Sequence, residues 1–381
     1  MTPTQILISA GEASGDMYAA RLAAALRVRV DVHLYGMGGP RMREAGVELL
    51  ADCADVSLIG IVEIAEKLPA LIRVWKRLLE ETKRRKPRLA ILTDFPGFHL
   101  RLARELKSQG VQNVYFVCPQ FWAWRPWRAN LVRRRFARGL CIFPFEQEWY
   151  RSRGVRADFV GHPLVGSVAA KRSRAEFAAF YGLDAAKPIV VLLPGSRTGE
   201  IAHHMPPLME ACHLIKKSRP VQFVLALAPG MNESEIAGYL RPDVPVCVVE
   251  DATYDALGAA DLAIVSSGTA TVEAALMDAP MIVIYRLAPI TAAIARSLVR
   301  TPMFAMVNLI AGKLVVPELF QKDFTPERVA SEASRLLDSP EARAEIRRGL
   351  AEVREKLGPP GAIERAADII ADMLAIPTIR T

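Results

Sequence analysis

The chain has 381 residues, 51% hydrophobic and 24% charged, close to the average of soluble globular proteins, which excludes a disordered or collagen-like chain. Its 49 Lys and Arg against 41 Asp and Glu leave a net charge of +8, which favours an anionic partner: nucleic acid, anionic lipid or a phosphorylated substrate. Residues 108–124, the longest stretch without Asp, Glu, Lys or Arg, fall short of the roughly 18–20 apolar residues of a spanning helix and include Gln109, Gln112, Asn113, Pro119 and Gln120.

The first residues lack the basic segment of a secretory signal, so a cytoplasmic protein is expected. Five scattered cysteines without a CxxC pair read as reduced core thiols rather than as a zinc site or a nucleophile.

Along the chain, residues 5–9 form a short apolar run. Gly11-Glu12-Ala-Ser14-Gly15-Asp16 follows, and then an Ala/Leu-rich segment at 17–28: strand, tight turn, helix. Further strands are expected at 32–35, 89–93, 114–118 and 140–143, with a helix over 70–86. A second series opens with a strand at 189–193, the segment Pro194-Gly195-Ser196-Arg197-Thr198-Gly199-Glu200 and a helix. Strands at 222–227, 246–249, 262–265 and 281–285 continue it. Alternating strands and helices predict parallel sheets covered on both faces. The fold class is therefore α/β, with two Rossmann-like doubly wound domains facing across a cleft. The expected divisions are 1–170 for the first domain, 171–345 for the second and 346–381 for terminal helices. Those helices would pack back on the first domain or on a partner subunit.

Ligands of doubly wound folds sit outside the carboxyl ends of the strands, so post-strand loops carry the candidates. In the first loop, glycines and a helix N-terminus suit an anion, yet the spacing is not GxGxxG and Glu12 and Asp16 would repel a bare pyrophosphate. A polyhydroxylated or phosphorylated acceptor fits, and so does a plain capped turn. Asp94-Phe-Pro96-Gly97-Phe98-His99 places a carboxylate at the end of a strand between two rings, where desolvation raises proton affinity and suits a general base; a helix N-cap is the alternative. Ser196 and Arg197 sit on a loop suited to phosphate. Ser266-Ser267-Gly268-Thr269-Ala270-Thr271-Val272-Glu273 suits a diphosphate, with Glu273 within reach of ribose hydroxyls. Two such loops in one half favour a nucleotide.

These segments together resemble the lipid A disaccharide synthase family. The first reads like SAGExSGD, Asp94–His99 like DxPxFN, Pro194–Arg197 like PGSR, and Ser267–Glu273 like SGTATxE. Met306-Val-Asn308-Leu, Gln120-Phe-Trp122-Ala-Trp124 and Gly161-His162-Pro163-Leu164 are also similar. The resemblance implies a GT-B fold and inverting, metal-independent transfer without a cofactor. The implied donor is UDP-2,3-diacylglucosamine, and the implied acceptor is 2,3-diacylglucosamine 1-phosphate (lipid X). On this reading Asp94 takes the proton of the acceptor 6-hydroxyl, and Arg197 with the loop N–H groups stabilises the departing UDP. Glu273 holds the ribose, and Ser267, Gly268 and Thr269 line the diphosphate. Ser14, Gly15, Asp16, His99 and Ser196 contact substrate, and Asn308 faces the cleft. The family asparagine is His99 here, which still offers a hydrogen bond. Independently of the resemblance, the neighbours His203 and His204 point different ways on a helix and are expected to be structural rather than metal ligands.

Acylated substrates imply peripheral association with the cytoplasmic face of the inner membrane. Ile61, Ile64, Leu68, Leu71, Ile72, Trp75, Leu78 and Leu79 recur at helical spacing beside Lys76 and Arg77, with a break or kink expected at Pro69. A core-facing helix explains the same stripe. Phe121, Trp122, Trp124 and Trp127, set among arginines, form a second candidate, which could equally stack on single-stranded nucleic acid. The nucleotide-type loops argue against a polymer, so no nucleic-acid partner is expected; a homodimer stays open. The rivals are another GT-B UDP-GlcNAc enzyme, such as an epimerase, and a non-catalytic nucleotide-binding protein.

Overall fold

The computed structural model describes residues 3–55, 61–287 and 303–375, without the side chains of 61–67. It divides into two compact units: residues 1–163 with 358–381, and residues 164–357.

The first unit alternates β1 (Thr4–Ala10), α1 (Ala13–Arg27), β2 (Val32–Gly38), α2 (Pro40–Glu44), β3 (Glu48–Asp52), α3 (Ile61–Arg85), β4 (Leu89–Thr93), α4 (Pro96–Ser108), β5 (Gln112–Phe116), α5 (Ala129–Arg135), β6 (Arg138–Cys141), α6 (Pro144–Arg151) and β7 (Ala157–Phe159). Its seven strands are parallel and ordered β3-β2-β1-β4-β5-β6-β7. The strand order reverses between β1 and β4, which pair in parallel from Ile6↔Leu89 to Ala10↔Thr93. All five residues of β4 are buried, as both-face coverage of a parallel sheet demands.

The second unit runs α7 (Arg174–Phe180), β8 (Ile189–Leu193), α8 (Thr198–Ser218), β9 (Gln222–Ala226), β10 (Val246–Val249), α9 (Thr253–Ala259), β11 (Leu262–Ser266), α10 (Thr269–Leu276), β12 (Met281–Tyr285), α11 (Met306–Ala311), β13 (Glu318–Phe320), α12 (Pro326–Asp338) and α13 (Pro340–Lys356). Its order is β10-β9-β8-β11-β12-β13, with the reversal between β8 and β11. Both sheets thus follow the Rossmann winding, and each has one switch point where ligands are expected.

The division expected at residue 346 falls inside α13, which belongs with the second unit; the chain returns to the first only from Gly358. There α14 (Ala362–Ala375) packs on α1, Arg29 pairs with Asp368 at 2.6 Å, and Arg365 donates to the Val160 carbonyl at 2.9 Å.

The stripe on α3 is divided between core and solvent. The helix passes through Pro69 unbroken. Leu78 and Val74 are buried, and Leu71 and Leu79 pack against the same core. Trp75 packs edge-on against Phe98, with ring centroids 5.4 Å apart. Leu71 and Trp75 are therefore not the free apolar surface that the periodicity suggests; Leu68 and Ile72 are, 50% and 46% exposed. The Ile61 and Ile64 side chains lie outside the described residues. Among the described residues no helix is long and apolar enough to cross a membrane.

Candidate active site

At the first switch point Asp94 follows β4 directly. Its φ is +55° and that of Phe95 +40°, two consecutive left-handed residues without glycine. Such backbone costs energy and persists only when its surroundings hold it. Here the supports are visible. The Asp94 carboxylate accepts from the Gly11 N–H (2.8 Å) and the Glu12 N–H (3.2 Å) at the start of α1. Its carbonyl accepts from the Tyr115 hydroxyl (2.7 Å) and from His99 Nδ1 (2.9 Å). A carbonyl can only accept, so Nδ1 carries the proton, and Nε2 then accepts from Ser9 Oγ–H at 2.8 Å. Burial holds His99 down to about 4, so the ring is neutral near pH 7.

Burial, with the neighbouring charges of Glu12 and Asp16, pushes the Asp94 carboxyl well above its ordinary value, against the opposing pull of the two N–H groups. The result is a part-buried carboxylate with enhanced proton affinity at the carboxyl end of a strand. Gly15 is required by this close approach: a Cβ there would lie 1.6 Å from Asp94 Oδ2. Ser14 sits on the first turn of α1 with its hydroxyl unengaged among the described residues.

Two expected contact residues are occupied otherwise. Asp16 is buried, and its carboxylate accepts from the N–H groups of Gly39 (2.6 Å), Arg41 (3.0 Å) and Met42 (3.1 Å), capping α2. His99 is fully buried and holds the Asp94 backbone rather than a ligand.

At the second switch point, the loop after β8 exposes Ser196 and Arg197. Glu200, which the sequence reading did not single out, clasps this loop. Its Oε2 accepts from the Ser196 N–H (3.1 Å) and its Oε1 from Arg197 Nη1 (3.2 Å). A carboxylate of the chain itself thus engages both donors. His204 braces the loop from beneath. Nδ1 donates to the Pro194 carbonyl (2.6 Å), and Nε2 accepts from the Arg286 N–H (2.9 Å), so it is structural.

After β11, Gly268 adopts φ +146°, a glycine conformation, and opens α10. The first N–H groups of that helix have no intrahelical acceptor. Thr269 is exposed beside them. Ser267 Oγ donates to the Phe304 carbonyl at 2.9 Å. Glu273, one turn on, accepts from the Tyr254 hydroxyl at 2.9 Å, and burial raises its proton affinity.

Asn308 does not present its amide to a ligand. It is fully buried, donates to the Val316 carbonyl (3.0 Å) and Glu318 Oε1 (2.7 Å), and accepts from the N–H groups of Val315 and Val316. Glu318 in turn accepts from the N–H groups of Phe304 and Ala305, so Asn308 ties the chain before α11 to that before β13.

Comparison with known proteins decides the family. The model of the lipid-A-disaccharide synthetase family matches residues 6–371. A lipid-A-disaccharide synthase of Solibacter usitatus is 44% identical over 374 residues, covering 97% of each chain, and that of Myxococcus xanthus 43% over 375 residues, covering 98% of each. The chain belongs to the lipid-A-disaccharide synthase family. It is accordingly a glycosyltransferase of lipid A biosynthesis. Its fold is GT-B: the Staphylococcus aureus MnaA–UDP structure superposes with a TM-score of 0.69 at 14% identity, covering 99% of each chain. Acinetobacter baumannii MurG gives 0.59 at 14% identity, covering 97% of this chain and all of that one. At such identities these two speak for the fold alone.

Proposed function

We propose that the protein transfers 2,3-diacylglucosamine from UDP-2,3-diacylglucosamine to the 6-hydroxyl of 2,3-diacylglucosamine 1-phosphate, giving the β-1,6-linked disaccharide 1-phosphate and UDP, with inversion. The observation that carries the reading is the Asp94 carboxylate: braced on a left-handed turn, held by two N–H groups, and raised in proton affinity by burial. A general base works best when its proton affinity approaches the working pH.

In this scheme Asp94 accepts the proton of O6 as that oxygen bonds to the donor's anomeric carbon. The bond from that carbon to the diphosphate oxygen breaks, and its electron pair leaves with UDP. In the second unit the N–H groups at the start of α10 and the Arg197 guanidinium receive the charge growing on the diphosphate. Ser196, Ser267, Gly268 and Thr269 line it, and Glu273 accepts from the ribose. Binding the diphosphate would require Glu200 to release the Ser196 N–H and Arg197, exchanging an internal carboxylate for the ligand's phosphate. In the first unit Ser14 and Gly15 bound the acceptor beside Asp94.

Both proposed substrates carry acyl chains, which supports peripheral association with the cytoplasmic face of the inner membrane. Leu68 and Ile72, with the exposed basic residues Arg73, Lys76 and Arg77 on the same helix, support α3 as the contact.

The test is release of UDP and formation of disaccharide from the two acylated sugars in detergent micelles, comparing wild type with Asp94→Asn and Arg197→Ala. Loss of about 100-fold or more in kcat is expected for the asparagine variant. Wild-type kcat should rise with pH through a value above the ordinary carboxylate range. Near-normal turnover by Asp94→Asn would remove Asp94 as the base. UDP-GlcNAc consumption without a lipid acceptor would favour an epimerase instead.

A further inference from the structure

The loop after β5 carries positive charge that no acid among the described residues answers. Arg125 has φ +52° and opens the single turn Pro126–Arg128. Its guanidinium lies 5.1 Å from the centre of the Trp124 ring, while that of Arg128 lies 5.5 Å from Trp124, 5.5 Å from Trp127 and 5.9 Å from Phe121. Burial, and then the fields of Arg125 and of Arg101 on α4, hold the Arg128 guanidinium below its ordinary value. Arg128 Nε is buried without a hydrogen-bond partner. Among the described residues, none of the three side chains makes an ion pair or a hydrogen bond. Elsewhere in this unit arginines find carboxylates: Arg85 binds Glu48 and Glu81, and Arg138 binds Asp158.

Like charges gathered without a counter-charge cost energy, and here an aromatic platform fixes two of them. A guanidinium fork with a desolvated, unsatisfied N–H matches a phosphate dianion in charge and geometry. Position narrows the ligand. The loop leaves the carboxyl end of β5, next to β4, whose last residue, Thr93, precedes Asp94. Tyr115, whose hydroxyl holds the Asp94 carbonyl, lies within the field of Arg128. Phe121 and Trp124 share the apolar cluster of Phe95 and Phe98.

We propose that Arg101, Arg125 and Arg128 form a phosphate-monoester site, and that its ligand is the anomeric phosphate of the acceptor. This rests on the acceptor named above, in which one pyranose ring separates the 1-phosphate from the 6-hydroxyl that reaches Asp94. The same chemistry is offered by the headgroup of an anionic phospholipid, and the experiment separates the two.

Arg125→Gln and Arg128→Gln are compared with Arg128→Lys, which keeps the charge, after circular dichroism shows each folded. Glucosamine 1-phosphate titrated against the fluorescence of the neighbouring tryptophans should bind wild type in a salt-sensitive way, and plain glucosamine should not. The glutamine variants should bind it about 10- to 100-fold more weakly, the loss of one charge-assisted hydrogen bond. In turnover they should raise KM for the acylated 1-phosphate by a similar factor, with KM for the donor unchanged. With the acceptor's phosphate removed, variant and wild type should perform alike. An equal handicap on the dephosphorylated acceptor overturns the proposal. So does an unchanged acceptor KM with lost binding to phosphatidylglycerol vesicles, which would assign the site to headgroups. If glucosamine 1-phosphate binds wild type but the acylated pair is not turned over, the transferase reading fails and the phosphate site stands.

Discussion

Gly15→Ala probes the acceptor end with a single methyl group. The added Cβ would lie 1.6 Å from Asp94 Oδ2 and 2.6 Å from its Cγ, and contacts below 3.0 Å are not tolerated. The carboxylate must therefore retreat by about 1.4 Å. It cannot do so and keep both bonds, to the Gly11 N–H at 2.8 Å and the Glu12 N–H at 3.2 Å. Misplacing a reacting group by about 1 Å costs on the order of 100-fold. The substitution also returns up to about 1 kcal/mol of helix propensity in α1, which offsets part of the lost hydrogen bonding. The expected variant is folded, with a melting temperature near wild type. It binds UDP normally and turns over at least about 100-fold more slowly. UDP release in micelles measures the rate, and isothermal titration measures UDP binding. Gly238→Ala, where a Cβ meets nothing within 4 Å, serves as the control. A kcat within a few-fold of wild type would refute the reasoning, because the base would then tolerate displacement or lie elsewhere.

Glu146 is fully buried, accepts from Trp122 Nε1 at 3.0 Å and from the Phe143 N–H at 3.3 Å, and is pushed up to about 8 by desolvation. The folded state then binds this proton more tightly than the unfolded chain, so its stabilisation is full below the ordinary carboxylate value and is lost as pH rises through about 8. Melting temperature should decline over that window in wild type and decline less in Glu146→Gln; parallel profiles would assign the slope to other groups. Leu68→Glu with Ile72→Glu, both on solvent-exposed positions, should release the protein from anionic vesicles while leaving its melting temperature within a few degrees of wild type. Undiminished vesicle binding would move the membrane contact off α3.

The strands most legible in the sequence are those buried on both faces. β4, β8 and β12 coincide with the apolar runs that announce them, and so does β10, a partly buried edge strand whose four residues are all apolar. The strands β3, β7 and β13 lie at sheet edges and carry Glu48, Asp158 and Glu318, so no continuous apolar run marks them. The loops that matter were legible because a parallel sheet puts its ligand-facing turns directly after strands. The polar residues within them were harder to read. Asp16, His99 and Asn308 have the side chains of ligand-binding residues, but their partners are mainly backbone groups. For Asp16 those groups lie on a segment more than 20 residues away. Neither spacing nor composition can reveal that a carboxylate is consumed in capping a helix. Tyr115 and Glu200 escaped for the converse reason: they act on the backbone of the loops rather than belonging to a recognisable motif.

The two switch points share a winding and differ in charge. The first gathers Glu12, Asp16 and Asp94; burial first, and then repulsion from the other two, raises the proton affinity of Asp94, and the three carboxylates make this switch point inhospitable to a diphosphate. The second offers helix N–H groups and Arg197, with Glu200 already seated on part of that donor set. The Ser196 N–H and Arg197 are already aimed at negative charge, that of Glu200, which is the arrangement the proposed nucleotide site needs. On the proposed function, this difference in charge supports proton acceptance in the first unit and diphosphate binding in the second. A common ancestral winding is compatible with that division because the loops, and not the sheets, carry the charge.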